Sequence, residues 1–179
     1  MHKDRYSELI ALAMEARLRA YAPYSHYLVG AALRCADGTV FQGCNIENAS
    51  YGASVCAERT ALFTAIAQGK RNFDALALVS GPEKPGDCRN FEEGDGEKKI
   101  RPRGADGSEG EKTQPRGTAA SGSGEALLPW PSPCGICRQV LREFVDPSAF
   151  HIILARSTEE FRVVTLEELL PESFGPEYL

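Results

Sequence analysis

The chain begins with apolar side chains spaced three and four residues apart. This spacing predicts an amphipathic helix over residues 4–19, and the segment Ala22-Pro23-Tyr24 ends it. Residues 28–35 and 39–45 instead alternate apolar and polar side chains on either side of Asp37-Gly38, a pair typical of a hairpin turn. We therefore expect a helix followed by a two-stranded hairpin.

The rest of the chain returns to these two patterns, separated by one long polar stretch. The further predicted elements are a helix at 56–68, a buried strand at 74–80, a helix at 135–144, strands at 150–155 and 161–164, and a helical turn at 166–170. Helices and strands that alternate in this way predict an α/β domain, in which one mixed sheet is covered by helices.

The polar stretch has a composition of its own. Residues 82–124 include only Phe91 and Ile100 from the large aliphatic and aromatic residues, but nine of the 17 glycines. Such a segment cannot bury enough apolar surface to offset the entropy lost when it becomes ordered. We therefore expect a single domain over residues 1–179, interrupted by a flexible insertion at about residues 82–131.

Composition and charge disfavour several classes of partner. The formal net charge of -5 argues against binding to nucleic acid or to an anionic membrane, because both partners favour a basic surface. No stretch is apolar enough for a membrane span, and the first residues do not resemble a signal peptide. We expect a cytoplasmic protein in a reducing compartment, where the six cysteines do not form three disulfides and the Cys-x-x-Cys pair after Pro133 supplies thiolate ligands.

Three cysteines form a candidate zinc site. Cys134 and Cys137 offer two thiolates from one turn, and Cys56 can offer a third. Three protein ligands leave the fourth tetrahedral position open to water, as in catalytic rather than structural zinc sites. Glu58 could be only an acid favoured by the first turn of a helix, but beside three thiolates it is well placed to move protons.

The charge of this site needs a counterbalance. Three thiolates around one Zn²⁺ leave a formal charge of -1, which opposes ionisation of a water molecule. Arg59 is the nearest candidate in the sequence to tune that charge, and Arg138 is a second one. Either arginine could instead face solvent or form an ordinary ion pair. Cys56 and Cys134 also begin predicted helices, whose N-termini stabilise thiolates.

Several segments together resemble the homotetrameric cytidine deaminase family. The segments that carry the resemblance are residues 24–32, 43–48, 56–59, 133–139 and 169–171, so it covers nearly the whole chain outside residues 82–131. It implies a three-layer α/β/α fold and one Zn²⁺ per subunit, held by Cys56, Cys134 and Cys137, with Glu58 as the catalytic residue. The implied reaction is hydrolytic deamination of cytidine and deoxycytidine to uridine and deoxyuridine, with release of ammonia, in pyrimidine salvage.

The resemblance also assigns substrate contacts. Asn45 and Glu47 match positions that bind the sugar hydroxyls, and an amide and a carboxylate two residues apart on a strand can grip a ribose. The pair could otherwise be solvated polar residues. Tyr27 falls where the family usually has a Phe that stacks on the pyrimidine, so its hydroxyl is a departure. Ala57 matches a position whose backbone contacts the pyrimidine.

The family's active sites lie at subunit contacts, so the resemblance implies a homotetramer with shared sites. Tyr51 and Phe174 are the candidates for residues that a neighbouring subunit contributes, although either could merely pack at an interface. We expect Cys35 and Cys44 to be buried apolar side chains rather than ligands, and Cys88 lies in the predicted insertion.

Three other functions stay open at this point. A deaminase of the same fold that acts on blasticidin S is disfavoured by Asn45 and Glu47, which suit a ribose. A polynucleotide deaminase is disfavoured by the acidic composition. A structural zinc module would need a fourth protein ligand and would leave Glu58 without a role.

Overall fold

A computed structural model describes residues 4–83 and 128–179, and the statements below concern those residues. The helices are α1 (Asp4–Arg17), α2 (Ala57–Ala67), α3 (Gly135–Arg142) and α4 (Leu166–Leu169). The strands are β1 (Tyr27–Cys35), β2 (Val40–Cys44), β3 (Phe73–Pro82), β4 (His151–Ala155) and β5 (Phe161–Thr165). All the predicted helices and strands are present, with ends that shift by one or two residues. Most of the predicted insertion at 82–131 lies outside the described residues, so its flexibility stays a prediction.

The five strands form one mixed sheet in the order β2-β1-β3-β4-β5. Strands β3 and β4 are parallel, and the other neighbours are antiparallel. The predicted hairpin is confirmed, with Arg34 opposite Val40 and with Gly38 at a φ of 86° in the turn. That left-handed conformation favours glycine because it has no Cβ to clash with the backbone.

The helices cover both faces of the sheet, which confirms the predicted three-layer α/β/α fold. Strand β3 is buried on both faces of the sheet, and its alternate residues pack against different helices. Ala75, Ala77 and Val79 pack with the apolar side of α1, whereas Leu76 and Leu78 pack with α2 and α3. A strand buried on both faces has an almost continuous apolar sequence, as residues 74–80 predicted.

Gly43 lets the first turn of α2 lie directly on β2. A Cβ atom at Gly43 would lie 2.4 Å from the carbonyl oxygen of Ala57 and 2.4 Å from the backbone nitrogen of Ala61. Because glycine has no Cβ, the helix can approach the strand to backbone contact. The residues around Cys56 and Glu58 are thereby held against the sheet.

Arg138 fixes the start of α3. Its guanidinium donates to the carbonyl oxygens of Pro133, at 2.8 Å, and Leu169, at 2.7 Å, and to the hydroxyl of Ser132, at 3.0 Å. The loop that enters the Cys-x-x-Cys turn is therefore tied to α4. Within the described ranges, no helix is long and apolar enough to cross a membrane.

Candidate active site

Three thiols from two helix starts converge at one end of the sheet. Cys56 is the N-cap residue of α2 and Cys134 is the N-cap residue of α3, while Cys137 lies in the first turn of α3. The sulfur of Cys134 lies 3.9 Å from that of Cys56 and 3.5 Å from that of Cys137, and all three lie within 4.8 Å of one another. Both helix N-termini thus meet at the sulfur cluster, where they favour negative charge.

This geometry fits a zinc ion. Zinc–sulfur bonds of about 2.3 Å at tetrahedral angles would place sulfur atoms about 3.8 Å apart, close to the separations seen. The five cysteines in the described ranges are all free thiols, and only this trio forms a candidate metal cluster there. Cys35 is buried in the core and Cys44 donates to the carbonyl oxygen of Arg19, so neither belongs to the cluster.

The pKa shifts of the thiols also favour a bound cation at this site. The neighbouring Cys137 thiol and the guanidinium of Arg59 lower the pKa of Cys56 to about 5, against the effect of partial burial. The same contact with Cys56, together with burial, raises the pKa of Cys137. Ionisation of Cys56 thus opposes ionisation of Cys137, and a cation among the sulfur atoms would remove this opposition.

Glu58 lies beside the cluster with its side chain only 4 % exposed. Burial raises the pKa of Glu58 to about 7, while a hydrogen bond from its own backbone N–H opposes the shift. A carboxyl group with such a pKa can both accept and donate a proton near neutral pH. Glu58 also lines the pocket described below.

Arg59 contacts the cluster directly, whereas Arg138 is engaged elsewhere. The Nη2 atom of Arg59 lies 3.7 Å from the sulfur of Cys56 and donates to the carbonyl oxygen of Ser54 at 3.2 Å. Its Nε atom is buried without a hydrogen-bond partner in the described ranges. The guanidinium charge of Arg59 therefore lies next to a thiolate with few competing partners.

A pocket of about 400 Å³ opens above the cluster. Its lining includes Cys56, Glu58 and Cys134 at the metal end. The remaining lining side chains come from β1 and the turn before it, from the segment between β2 and α2, from β3 and from the segment before α3: Ser25, Tyr27, Val29, Asn45, Ile46, Glu47, Ser54, Val55, Leu78, Ser80, Trp130, Pro131 and Ser132. The volume suits a small molecule.

Asn45 and Glu47 both line this pocket, although they lie just beyond β2 rather than inside it. The amide of Asn45 accepts from the Val29 N–H at 2.8 Å and donates to the Tyr27 carbonyl at 2.9 Å. One amide hydrogen of Asn45 remains for a ligand, since the amide has two donors. Partial burial raises the pKa of Glu47, but hydrogen bonds from Ser25 and Tyr24 outweigh it and lower the pKa overall.

Tyr27 lies at the start of β1 and lines the pocket, 39 % exposed. Its hydroxyl forms a hydrogen bond of 2.9 Å with the hydroxyl of Ser80, a buried residue of β3. The hydroxyl group that distinguishes Tyr27 from the family's usual phenylalanine therefore has a hydrogen-bond partner inside the pocket. Ala57 is fully buried in the first turn of α2, between Cys56 and Glu58.

Tyr51 and Phe174 lie outside the pocket lining and are exposed by 76 % and 58 %. Tyr51 makes an edge-to-face contact with Tyr24, and Phe174 stacks on Tyr178 with ring centroids 5.4 Å apart. Within one subunit, therefore, the structure does not bring these two residues to the metal site.

Ser80 and Trp130 also line the pocket, and neither was predicted from the sequence as a site residue. Ser80 is a single polar residue at the end of an apolar strand, and no local pattern marks it. A signal existed for Trp130: the segment 126–131 is apolar and rich in proline, unlike the polar stretch before it. Its proximity to Cys134 could have placed it at the site rather than in the insertion.

The metal site opens to the pocket, and no fourth cysteine, histidine or carboxylate joins the trio among the described residues. An open position separates catalytic zinc from structural zinc, so the arrangement is that of a catalytic zinc enzyme rather than of a structural zinc module.

Comparison with known proteins narrows this class. A family model described as the cytidine and deoxycytidylate deaminase zinc-binding region matches residues 3–152. The chain is 36% identical over 172 residues to a cytidine deaminase of Sporosarcina psychrophila, covering 96% of this chain and 93% of the relative. It is 40% identical over 163 residues to a cytidine deaminase of Mycobacterium tuberculosis, covering 91% and 84%.

Solved structures agree with the sequence relatives. The crystal structure of a cytidine deaminase from Burkholderia pseudomallei matches with a TM-score of 0.63 and 37% identity, covering 93% of this chain and 97% of that one. A cytidine deaminase from Mycobacterium tuberculosis matches with a TM-score of 0.60 and 30% identity, covering 95% and 97%. The chain belongs to the cytidine deaminase family, and it is a zinc-dependent enzyme that deaminates cytidine hydrolytically.

Proposed function

We propose that this enzyme converts free cytidine and deoxycytidine to uridine and deoxyuridine with release of ammonia, and that Cys56, Cys134 and Cys137 hold its zinc. The observation that carries the proposal is the placement of the buried Glu58 beside the three thiols, in the pocket that Asn45 and Glu47 also line. When bound, zinc supplies a Lewis acid that activates water at the open position.

Glu58 moves the protons in this proposal. It accepts a proton from the attacking water and delivers it to the ring nitrogen. It then accepts the proton of the newly added hydroxyl group and delivers it to the amine, so that ammonia leaves as the ring carbonyl forms. Burial keeps the carboxyl group away from bulk water, so that its protons pass to the substrate. Arg59 offsets the excess negative charge of the thiolates through its contact with Cys56. A residue that contacts a metal ligand commonly affects both the affinity for the metal and the reactivity of the site.

The sugar and the base take different parts of the pocket. Asn45 offers an amide hydrogen and Glu47 an anionic acceptor, which together suit adjacent sugar hydroxyls. The ring of Tyr27 stacks on the pyrimidine, and the backbone of Ala57 contacts the base beside Glu58. The pair at Asn45 and Glu47 favours a nucleoside over blasticidin S.

The proposed assembly is a homotetramer in which Tyr51 and Phe174 act on a neighbouring subunit's site. Their exposure within one subunit supports this arrangement, because large exposed aromatic side chains mark contact surfaces. The proposed setting is the cytoplasm, in pyrimidine salvage, and the free thiols of the described cysteines suit a reducing compartment. The acidic composition favours a small-molecule partner over nucleic acid or membrane.

The test is a substrate panel with purified, zinc-loaded protein. Loss of ultraviolet absorbance should be seen with cytidine and deoxycytidine, and not with cytosine or blasticidin S. Glu58→Gln should retain zinc, measured by elemental analysis, and lose about 10²–10⁴-fold in kcat, which is the usual contribution of a proton-transfer group.

The matched control is Glu143→Gln, which changes an exposed carboxylate at the end of α3 and should keep full activity. Full activity of Glu58→Gln would exclude the proton-transfer role. Turnover of blasticidin S in preference to the nucleosides would exclude the proposed substrate class.

A further inference from the structure

Trp130 is the single tryptophan of the chain, and it lies in the wall of the active-site pocket. It comes four residues before the proposed zinc ligand Cys134. We propose that Trp130 is a substrate-contacting residue that forms the wall beside the pyrimidine base and limits its ring substituents. Arg162 is proposed as a positioning residue that holds the indole ring in place.

Sheet topology locates this wall. Asn45 and Glu47 follow β2, which is at one edge of the sheet. Trp130 lies toward the other edge, because its ring contacts the guanidinium groups of Arg156, just after β4, and Arg162 in β5. The pocket crosses the sheet end between these two positions, over the ends of β1 and β3. Trp130 therefore faces the proposed sugar-binding pair across the pocket.

Two arginines hold the indole ring. The guanidinium carbon of Arg162 lies 4.1 Å from the ring centroid of Trp130, and that of Arg156 lies 5.3 Å away. Arg156 also donates to the carbonyl oxygen of Leu128 and pairs with Glu160 at 2.9 Å. Cations above an aromatic face attract it, so the ring is held before any ligand arrives. A preorganised wall loses little entropy on binding.

The chemistry of a pyrimidine nucleoside suits such a wall. The inference rests on the proposed placement of the sugar at Asn45 and Glu47 and of the amine-bearing carbon beside Glu58. The neighbouring C5 edge of the ring, which carries only hydrogen, then approaches the Trp130 side. An indole surface accepts this apolar edge by close contact and excludes bulkier groups there.

Intrinsic fluorescence tests the contact directly, because emission excited selectively over tyrosine comes from Trp130 alone. Titration of the zinc-loaded enzyme with uridine should change this emission, with a midpoint equal to the Kd measured by calorimetry. The matched control is the double variant Trp130→Phe/Phe63→Trp, which carries its tryptophan at an exposed position of α2 outside the pocket lining. Its emission should not change.

Kinetics test the specificity role. Trp130→Ala should raise KM for cytidine by about tenfold, with kcat changed much less, and should raise the relative kcat/KM for 5-methylcytidine. Trp130→Phe should show a smaller effect on both quantities. Arg162→Ala should shift KM in the same direction, and Arg162→Lys should restore it because the cation above the ring is kept.

Two results would overturn the inference, and they differ in what else they affect. If uridine binds by calorimetry while Trp130 emission and the KM of Trp130→Ala stay unchanged, Trp130 does not contact the substrate and the proposed function stands. If calorimetry detects no nucleoside binding to the zinc-loaded enzyme, the proposed function and the role of Trp130 fall together.

Discussion

At the scale of single residues, the side chains of Asn45 and Glu47 bind protein backbone as well as lining the pocket. Asn45 bonds to Tyr27 and Val29, and Glu47 accepts from the backbone N–H groups of Tyr24, at 3.0 Å, and Ser25, at 3.2 Å. The proposed sugar-binding pair thus holds the segment that carries the aromatic ring of Tyr27. Substitution of either residue should disturb the base site together with the sugar site.

The hydroxyl pair of Tyr27 and Ser80 gives a prediction at this scale. Tyr27→Phe or Ser80→Ala alone leaves one pocket hydroxyl without its partner, while the double variant removes both. We expect a coupling free energy of about 0.5–1.5 kcal/mol in kcat/KM for cytidine, as for a typical hydrogen bond. Strictly additive effects in this double-mutant cycle would show that the pair does not position the ring.

Arg59 gives a second residue-scale prediction. Arg59→Ala removes the cation beside Cys56, so the thiolates hold zinc with less charge compensation. Zinc affinity should fall by roughly tenfold or more in competition with a chelator, as is usual when a metal ligand loses its supporting partner. Arg71→Ala is the matched control, because the guanidinium of Arg71 binds only backbone carbonyls near the end of α2 in the described contacts. Equal zinc affinity in both variants would contradict the role of Arg59.

At the scale of elements, the site depends on how closely α2 approaches β2. Cys56 is the N-cap residue of α2, and Glu58 and Arg59 lie in its first turn. Gly43 is the point where the backbone of β2 meets the backbone of that turn. The position of the whole catalytic turn is therefore set by the absence of one side chain.

Gly43→Ala should displace that turn. The new methyl group would lie 2.4 Å from backbone atoms, so we expect about 1–3 kcal/mol of destabilisation together with lower kcat. Urea unfolding and the cytidine assay measure the two effects. Gly52→Ala, where a Cβ meets nothing within 4 Å, is the control and should change neither quantity. Wild-type kcat for Gly43→Ala would show that the turn tolerates movement.

At the scale of the whole molecule, the proposed sharing of sites between subunits is open to a mixing experiment. Glu58→Ala subunits and Phe174→Ala subunits should each be poorly active. Hybrid tetramers should regain activity, because some sites would combine an intact Glu58 with an intact Phe174 from a neighbour.

Light scattering must show that the mixed protein is tetrameric, and assays before and after mixing measure the gain. The control mixture pairs Glu58→Ala subunits with the Glu58→Ala/Phe174→Ala double variant, which cannot form a complete site. Absence of a gain in tetramers shown to be mixed would contradict a contribution of Phe174 across the interface.

Most of the fold was predictable because its signals are local. The spacing of apolar residues predicted each helix and strand, and glycine with aspartate marked the hairpin turn. The cluster of three thiols was predictable because Cys134 and Cys137 lie in one turn and because few residue types bind zinc. The role of Arg138 was not predictable, since its guanidinium donates to the backbone carbonyl oxygen of Leu169, which is distant in the sequence, rather than to a nearby thiol.

The sequence by itself determined the secondary structure, the layered α/β class and the chemical identity of the metal site. Only the tertiary structure decided which distant side chains meet at the pocket: Ser80 contacts Tyr27, and Trp130 contacts Arg156, just after β4, and Arg162 in β5. The physical reason is the separation along the chain of the residues that interact. Helix and strand patterns depend on neighbours along the chain, whereas a binding pocket depends on the order of strands in the sheet.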